Sequence, residues 1–274
     1  MTPRRRLDVE LVRRGLMNSR SQAQSAIDER KVLVSGALAT RSARLVAPDE
    51  PIEIQGEARR FVGRGGEKLD AALCHFGIDV TGRLCLDVGA STGGFTDALL
   101  KKGAHSVVAV DVGYGQLDDR LRQDSRVRSF ERTNVRTIDL DFFARQTPPV
   151  DAPFDLVVVD VSFISLRSLT PVLLGPILRD GATAVMLVKP QFEVGRVEAS
   201  KGKGVITEPS LWADAIETVA SSCVASGAVI MDVMVSPLLG ASGNTEFLLW
   251  ARKGGDFDSH QDVARWRDVA MGER

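Results

Sequence analysis

The stretch Leu84-Cys-Leu-Asp-Val-Gly-Ala-Ser-Thr-Gly-Gly-Phe-Thr-Asp97 decides the fold. A short apolar run ends in an acid, passes into a loop of glycines and small residues, and continues with a helical pattern. This is how a nucleotide-type cofactor site is built at the carboxyl end of the first strand of an α/β sheet. Gly89, Gly93 and Gly94 let backbone approach a ligand closely, Ser91 and Thr92 offer hydroxyls, and Asp87 stands at the strand end. The spacing is not that of a dinucleotide fingerprint, because Asp87 precedes the first glycine by two. That departure favours S-adenosylmethionine over NAD.

Outward from this loop, strand, loop and helix repeat from Glu67 onward. The pattern predicts strands over 84–88, 106–110, 126–131, 156–159, 182–188, 228–236 and 246–252. Helices are predicted over 68–76, 95–102, 116–122, 166–178 and 208–226, with an extra one over 262–271. Seven strands in this alternation, the last two forming a hairpin, describe an α/β, Rossmann-like class I methyltransferase sheet. The second strand ends in Asp111, 24 residues past Asp87, where a carboxylate accepts hydrogen bonds from both ribose hydroxyls of an adenosine. Asn134, after the third strand, is placed to meet the adenine edge. Asp160 ends the fourth strand, and Lys189 follows four apolar residues at the end of the fifth. A lysine withdrawn from water is shifted toward its neutral form and can serve as a base. Glu246 is the single acid at the mouth of an otherwise apolar final strand.

The amino-terminal part reads as a separate small module. Leu7, Leu11 and Val12 form one helical stripe that Gly15 stops. Ser19 caps a second helix with Ala23, Ala26 and Ile27 inward, and short strands follow around Lys31–Gly36 and Asp49–Ile54. The expected division is 1–58 for this module, 59–64 for a basic linker containing Arg59-Arg60-Phe61-Val62, and 65–274 for the catalytic domain. The chain carries a net charge of −1, yet residues 1–66 carry +5 and the remainder −6. A basic module on an acidic body points to a polyanionic partner.

Composition excludes several classes. No apolar run approaches the length of a membrane span. The opening Met-Thr-Pro-Arg-Arg-Arg has charge with no apolar core after it, so a secretory signal is not expected. Three scattered cysteines, Cys74, Cys85 and Cys223, suit a reducing cytoplasm and give no metal-ligand spacing.

Residues 4–55 resemble the S4 RNA-binding domain through Leu7-Asp8, Leu11, Gly15-Leu16, Ser19-Arg20, Ala23, Ile27, Val32, Val34, Gly36, Val46, Asp49 and Ile52. Such domains grip phosphates and shape in folded RNA, which makes Arg4, Arg6, Arg13, Arg14, Arg20, Arg30 and Lys31 the candidate contacts. The rest resembles 2′-O-ribose methyltransferases of the FtsJ kind, whose Lys-Asp-Lys-Glu tetrad is matched in order by Lys68, Asp160, Lys189 and Glu246. The whole chain, residues 4–252, is similar to the TlyA family, which joins these two domains and is often labelled hemolysin. The shared motifs include Arg64-Gly-Gly-Glu-Lys68, Asp160-Val-Ser-Phe-Ile-Ser-Leu166, Val188-Lys-Pro-Gln-Phe-Glu193 and Ser242-Gly-Asn-Thr-Glu246.

The family's linker tetrapeptide has a small residue and a Trp between its Arg and Val, where this chain has Arg60 and Phe61. The resemblance implies S-adenosylmethionine-dependent 2′-O-methylation of cytidine in small- and large-subunit ribosomal RNA, with ribosomal subunits as partners. In the expected mechanism Lys189 takes the hydroxyl proton, Lys68 stabilises the developing alkoxide, and Asp160 and Glu246 orient the two amines. A non-catalytic RNA-binding protein and a membrane-active hemolysin are the competing readings.

Overall fold

The computed structural model describes residues 4–17, 20–55, 60–195, 204–240, 242–254 and 266–272. The chain divides into two compact units between Gly63 and Arg64. Ser19, Arg59 and residues 262–265 of the predicted 262–271 helix lie outside the described residues; the rest of that helix is present as Arg267–Met271.

In the first unit, helices α1 (Leu7–Arg13) and α2 (Arg20–Asp28) cover short strands β1 (Arg5–Arg6), β2 (Val32–Val34), β3 (Ala37–Leu38), β4 (Leu45–Val46) and β5 (Ile52–Ile54). β2 pairs antiparallel with both β3 and β5, and β1 pairs with β4. Leu7, Leu11, Ala23, Ala26, Ile27, Val32, Val34, Ala39 and Val46 form the core. Gly15 ends the first helical segment at φ +69°, a left-handed position that favours glycine.

The second unit is built on a seven-stranded sheet: β6 (Leu84–Val88), β7 (Ser106–Val110), β8 (Val127–Phe130), β9 (Phe154–Val159), β10 (Leu178–Val188), β11 (Ala228–Val235) and β12 (Phe247–Lys253). The order is β11-β12-β10-β9-β6-β7-β8. β12 runs antiparallel to both neighbours and the other pairs are parallel. Val157, Val158 and Val159 are fully buried, which explains an unbroken apolar run where a one-faced strand would alternate. The chain leaves β6 toward β7 and β8, then returns to β9 on the other side of β6. That reversal opens a crevice above the carboxyl ends of β6 and β9.

Four elements depart from the sequence expectation. The helix expected over 116–122 shrinks to α5 (Asp119–Arg122), which the Asp118 side chain caps by accepting from Arg120 N at 3.0 Å. The preceding residues remain a loop that reaches back to the glycine loop after β6, Asp118 N donating to Thr92 O at 3.2 Å. The helix expected over 166–178 breaks into a 3₁₀ turn (Leu166–Ser168) and a short helix (Thr170–Leu173). Pro171 starts the second piece, and Gly175-Pro176 cannot continue it. Leu178 instead begins β10, four residues before the expected start, through a register shift between Leu178 and Thr183 that Gly181 accommodates at φ +77°.

The helix predicted from Lys68 begins one turn earlier, as α3 (Arg64–His75), and takes in Gly65 and Gly66. No helix of the described residues is long and apolar enough to cross a membrane.

Candidate functional site

The loop after β6 runs under tight steric limits. Gly89 has φ +83°, and a Cβ there would run into the backbone carbonyl oxygen of Asp160. Gly93 has φ +94° and immediately precedes helix α4 (Gly94–Lys101); its missing Cβ makes room for Leu117 and Leu121. Ser91, at φ +48°, donates its backbone N–H to Asp111 Oδ2 at 2.8 Å and its hydroxyl to Gln116 Oε1 at 3.1 Å. Gly113 N donates to Asp111 Oδ1 at 2.6 Å, so two backbone amides fix the Asp111 carboxylate at the end of β7.

Two adjoining cavities lie along this loop. One, of about 380 Å³, is lined by Val88, Asp111, Gly113, Gln116, Asn134 and Ile164 among others. Its neighbour, of about 250 Å³, is lined by Gly65, Thr92, Gly94, Phe95 and Lys189 among others. Gly89, Ser91, Asp160 and Ser162 line both, so one elongated crevice passes over the glycine loop. The larger half offers apolar walls, a fixed carboxylate and the side chain of Asn134, whose Oδ1 also accepts from Arg136 N at 3.0 Å. Gln116 and Ser162 were not expected from sequence. Both sit in loops whose course depends on the tertiary fold, and no local spacing marks them.

Asp87 was expected among the cofactor contacts, and the structure places it elsewhere. It is fully buried, lines neither cavity, and accepts from Thr96 Oγ1 at 2.6 Å. Its other oxygen has no hydrogen-bond partner among the described residues. Burial pushes the Asp87 carboxyl up to about 7; the nearby Asp160 and Asp111 carboxylates add to the rise and the Thr96 hydroxyl opposes it. Asp87 therefore holds the strand against the start of α4.

The linkage has a definite sign. The unfolded chain loses this proton near 3.8 and the folded protein near 7, so folding takes up a proton in that window. The contribution weakens as pH rises and is gone above the upper value. Asp87→Asn should be more stable relative to the parent at about pH 8 than at about pH 5. Parallel melting-temperature curves across that range would refute the assignment.

The four tetrad residues come from four elements and meet as two ion pairs. Lys189 Nζ lies 2.6 Å from Asp160 Oδ1 and donates to Ser162 Oγ at 3.0 Å. Lys68 Nζ bonds Glu246 Oε2, with both side chains buried. The sheet explains the convergence. Val188 pairs with Phe247, so Lys189 and Glu246 leave adjacent antiparallel strands side by side. Asp160 follows β9, whose Val159 pairs with Met186 of β10. Gly65, one turn before Lys68, would place a Cβ 3.3 Å from Phe95 and 3.5 Å from Asp160 Oδ2. Glycine thus lets α3 approach the crevice closely. Lys189 and Asp160 line the smaller cavity; Lys68 and Glu246 line neither cavity and form a buried pair.

In the first unit, five of the seven candidate RNA contacts already have internal partners. Arg6 and Arg20 pair with buried Asp8, each at 3.0 Å. Arg13 and Arg14 pair with buried Glu10, at 2.6 and 2.8 Å. These guanidiniums hold both carboxyls below the usual range, Glu10 at about 2. Arg14 also donates to the carbonyls of Ala47 and Glu50, which makes it a brace between α1 and the β4–β5 loop. Lys31 pairs with Glu29 at 3.0 Å. Arg4 and Arg30 are exposed, and Arg30 stands in a turn at φ +57°.

Comparison with known proteins fits this architecture. Residues 61–253 match the FtsJ-like methyltransferase family, and residues 5–52 match the S4 domain. The chain is 47% identical over 254 residues to the 16S/23S rRNA (cytidine-2′-O)-methyltransferase TlyA of Mycobacterium tuberculosis, covering 92% of this chain and 91% of that protein. It is 40% identical to Hemolysin A of Brachyspira hyodysenteriae, covering 89% and 98% of the two chains. The solved structure of a hemolysin-labelled protein from Streptococcus thermophilus superposes with a TM-score of 0.74 at 36% identity, covering 100% of this chain and 98% of that one. A catalytic unit with the sheet order of a methyltransferase, preceded by an S4 module and matched along nearly its whole length, belongs to the TlyA family of FtsJ-like methyltransferases.

Proposed function

We propose that this protein methylates the 2′-hydroxyl of a cytidine in ribosomal RNA, using S-adenosylmethionine, on small subunits, large subunits or both. The observation that carries the reading is the Asp160–Lys189 pair on the wall of a crevice whose other half is shaped for a nucleoside. The residues present fit the cofactor. Asp111, fixed by two amides, keeps lone pairs for ribose hydroxyls, Asn134 suits an adenine edge, and the Gly89–Gly94 loop leaves space that a Cβ would fill. When bound there, S-adenosylmethionine supplies an electrophilic sulfonium methyl.

The chain's own residues provide the rest. A ribose hydroxyl is a poor nucleophile until its proton leaves. Once Lys189 has given a proton to solvent, its two remaining N–H groups are matched by Asp160 and Ser162 and its lone pair accepts the hydroxyl proton. As the amine takes that proton, the Asp160 carboxylate stabilises the resulting ammonium. Lys68, one turn beyond the cavity-lining Gly65 and held by Glu246, offers an oriented ammonium dipole that favours the developing oxyanion. The S4 module grips the RNA, and the identity of the base as cytidine is supported by the activity named for the mycobacterial relative.

The test is to map ribose methylation in ribosomal RNA from cells with and without this protein. Purified subunits are then treated with the protein and S-adenosylmethionine. A cytidine that gains a 2′-O-methyl group only when the protein is present is the expected result. Identical methylation in both cells, together with inert purified protein, overturns the proposal.

A further inference from the structure

We propose that Glu193 is a positioning residue for methyl transfer, clasping the segment after β9 to the segment after β10 and so fixing the Asp160–Lys189 geometry. The inference rests on the reading that this pair performs the chemistry. β9 and β10 are parallel neighbours, and the chain leaves both at the same end of the sheet. Hydrogen bonding of the ladder stops there, but side-chain contacts continue it in three steps. Asp160 meets Lys189 at 2.6 Å. Three residues further along each segment, the rings of Phe163 and Phe192 lie 5.2 Å apart. At the far end, Glu193 accepts from Ser165 Oγ at 2.5 Å and from Leu166 N at 2.8 Å.

The clasp has the properties of a structural constraint. The Glu193 side chain is 1% exposed, and its carboxylate sits at the first N–H of the 3₁₀ turn, where backbone donors lack partners. Arg167 Nε lies 4.0 Å away and supplies the nearest positive charge. The segment it closes contains an observed strain. Phe163 has φ +66°, a left-handed conformation that strains a bulky residue, and it is 92% exposed. Asp160 N–H anchors one end of that segment to Val88 O at 2.9 Å, and Glu193 anchors the other. Release of the far anchor lets the strained turn relax and carries Asp160 and Ser162 away from the lysine amine. A displacement of about 1 Å at reacting groups is enough to cost about 100-fold in rate.

The experiment compares Glu193→Ala and Glu193→Gln with the parent in the full-length protein. It measures kcat on ribosomal subunits, cofactor affinity by calorimetry, and melting temperature. Glu193→Ala should lower kcat about 10- to 100-fold while cofactor affinity changes less than about threefold. Glu193→Gln keeps an acceptor for Leu166 N and should recover most of kcat. In an Asp160→Asn background the Ala substitution should cost little more, because its effect passes through the pair it positions. The clasp is overturned by a Glu193→Ala protein with kcat close to the parent. Equal losses of kcat, cofactor affinity and stability that Gln does not rescue also overturn it, by identifying an ordinary cap. A parent that transfers no methyl group overturns the functional reading and this inference together. An active parent with an active Ala variant overturns the clasp alone.

Discussion

Lys189→Ala should bind S-adenosylmethionine with near-parental affinity and transfer methyl groups about 100- to 10,000-fold more slowly, the range for loss of a general base. Lys189 touches the smaller half of the crevice, and the nucleoside half is built without it. Truncation removes the proton acceptor and leaves Asp160 facing the cavity without its amine. Lys189→Arg should fail as well, because a guanidinium keeps its proton and has no lone pair to offer. Lys68→Ala is a different experiment. It strands the buried Glu246 carboxylate, so about 3–5 kcal/mol of stability should go together with activity. Single-turnover methylation with calorimetric cofactor titration separates these outcomes. A Lys189→Ala protein within tenfold of the parental rate would remove this amine from the mechanism.

Gly89→Ala should abolish detectable cofactor binding and lower stability by about 2–5 kcal/mol, combining a left-handed φ with a steric overlap. The new Cβ would meet the Asp160 carbonyl and lie 3.2 Å from Val161 Cγ1. Backbone cannot rotate aside as a side chain does. Asp160 is also held through its own N–H to Val88, so any relief displaces the Asp160 carboxylate. Gly93→Ala supplies the internal control. Its Cβ would meet the tips of Leu117 and Leu121, which can change rotamer, so it should cost less despite its similar φ. Thermal denaturation with and without cofactor reads both variants, and equal behaviour of the two would contradict the backbone-clash explanation.

Much of this fold was legible because parallel strands write themselves plainly. Val157-Val-Val159 and Ala184–Val188 are apolar on both faces, and each is followed by a polar residue at the sheet's carboxyl edge. Asp111, Asp160, Lys189 and Glu246 stand at four such edges, so topology alone brings them near one another. Asp87 misled for a related reason. A residue at the end of a strand faces one side or the other, and the alternation that turns Asp87 toward Thr96 follows from register rather than composition. The 166–178 segment looked like one helix because its leucines keep a helical spacing, while Pro171 and Pro176 cut it into pieces. The Glu193 clasp left no local trace, since its partners lie 27 and 28 residues earlier and neither belongs to a repeating pattern.

The carboxylates of Asp8 and Glu10 bear on how the S4 module lets go of its substrate. RNA phosphates release condensed cations when arginines neutralise them, and that release drives tight attachment. Arg6, Arg13, Arg14 and Arg20 start from internal carboxylates, so an incoming phosphate must compete with Asp8 or Glu10 for each guanidinium, and that cost is set against the cation release. Such a module holds RNA less tightly than one whose arginines stand free. For an enzyme that must depart after each modification, weak adhesion is what permits turnover.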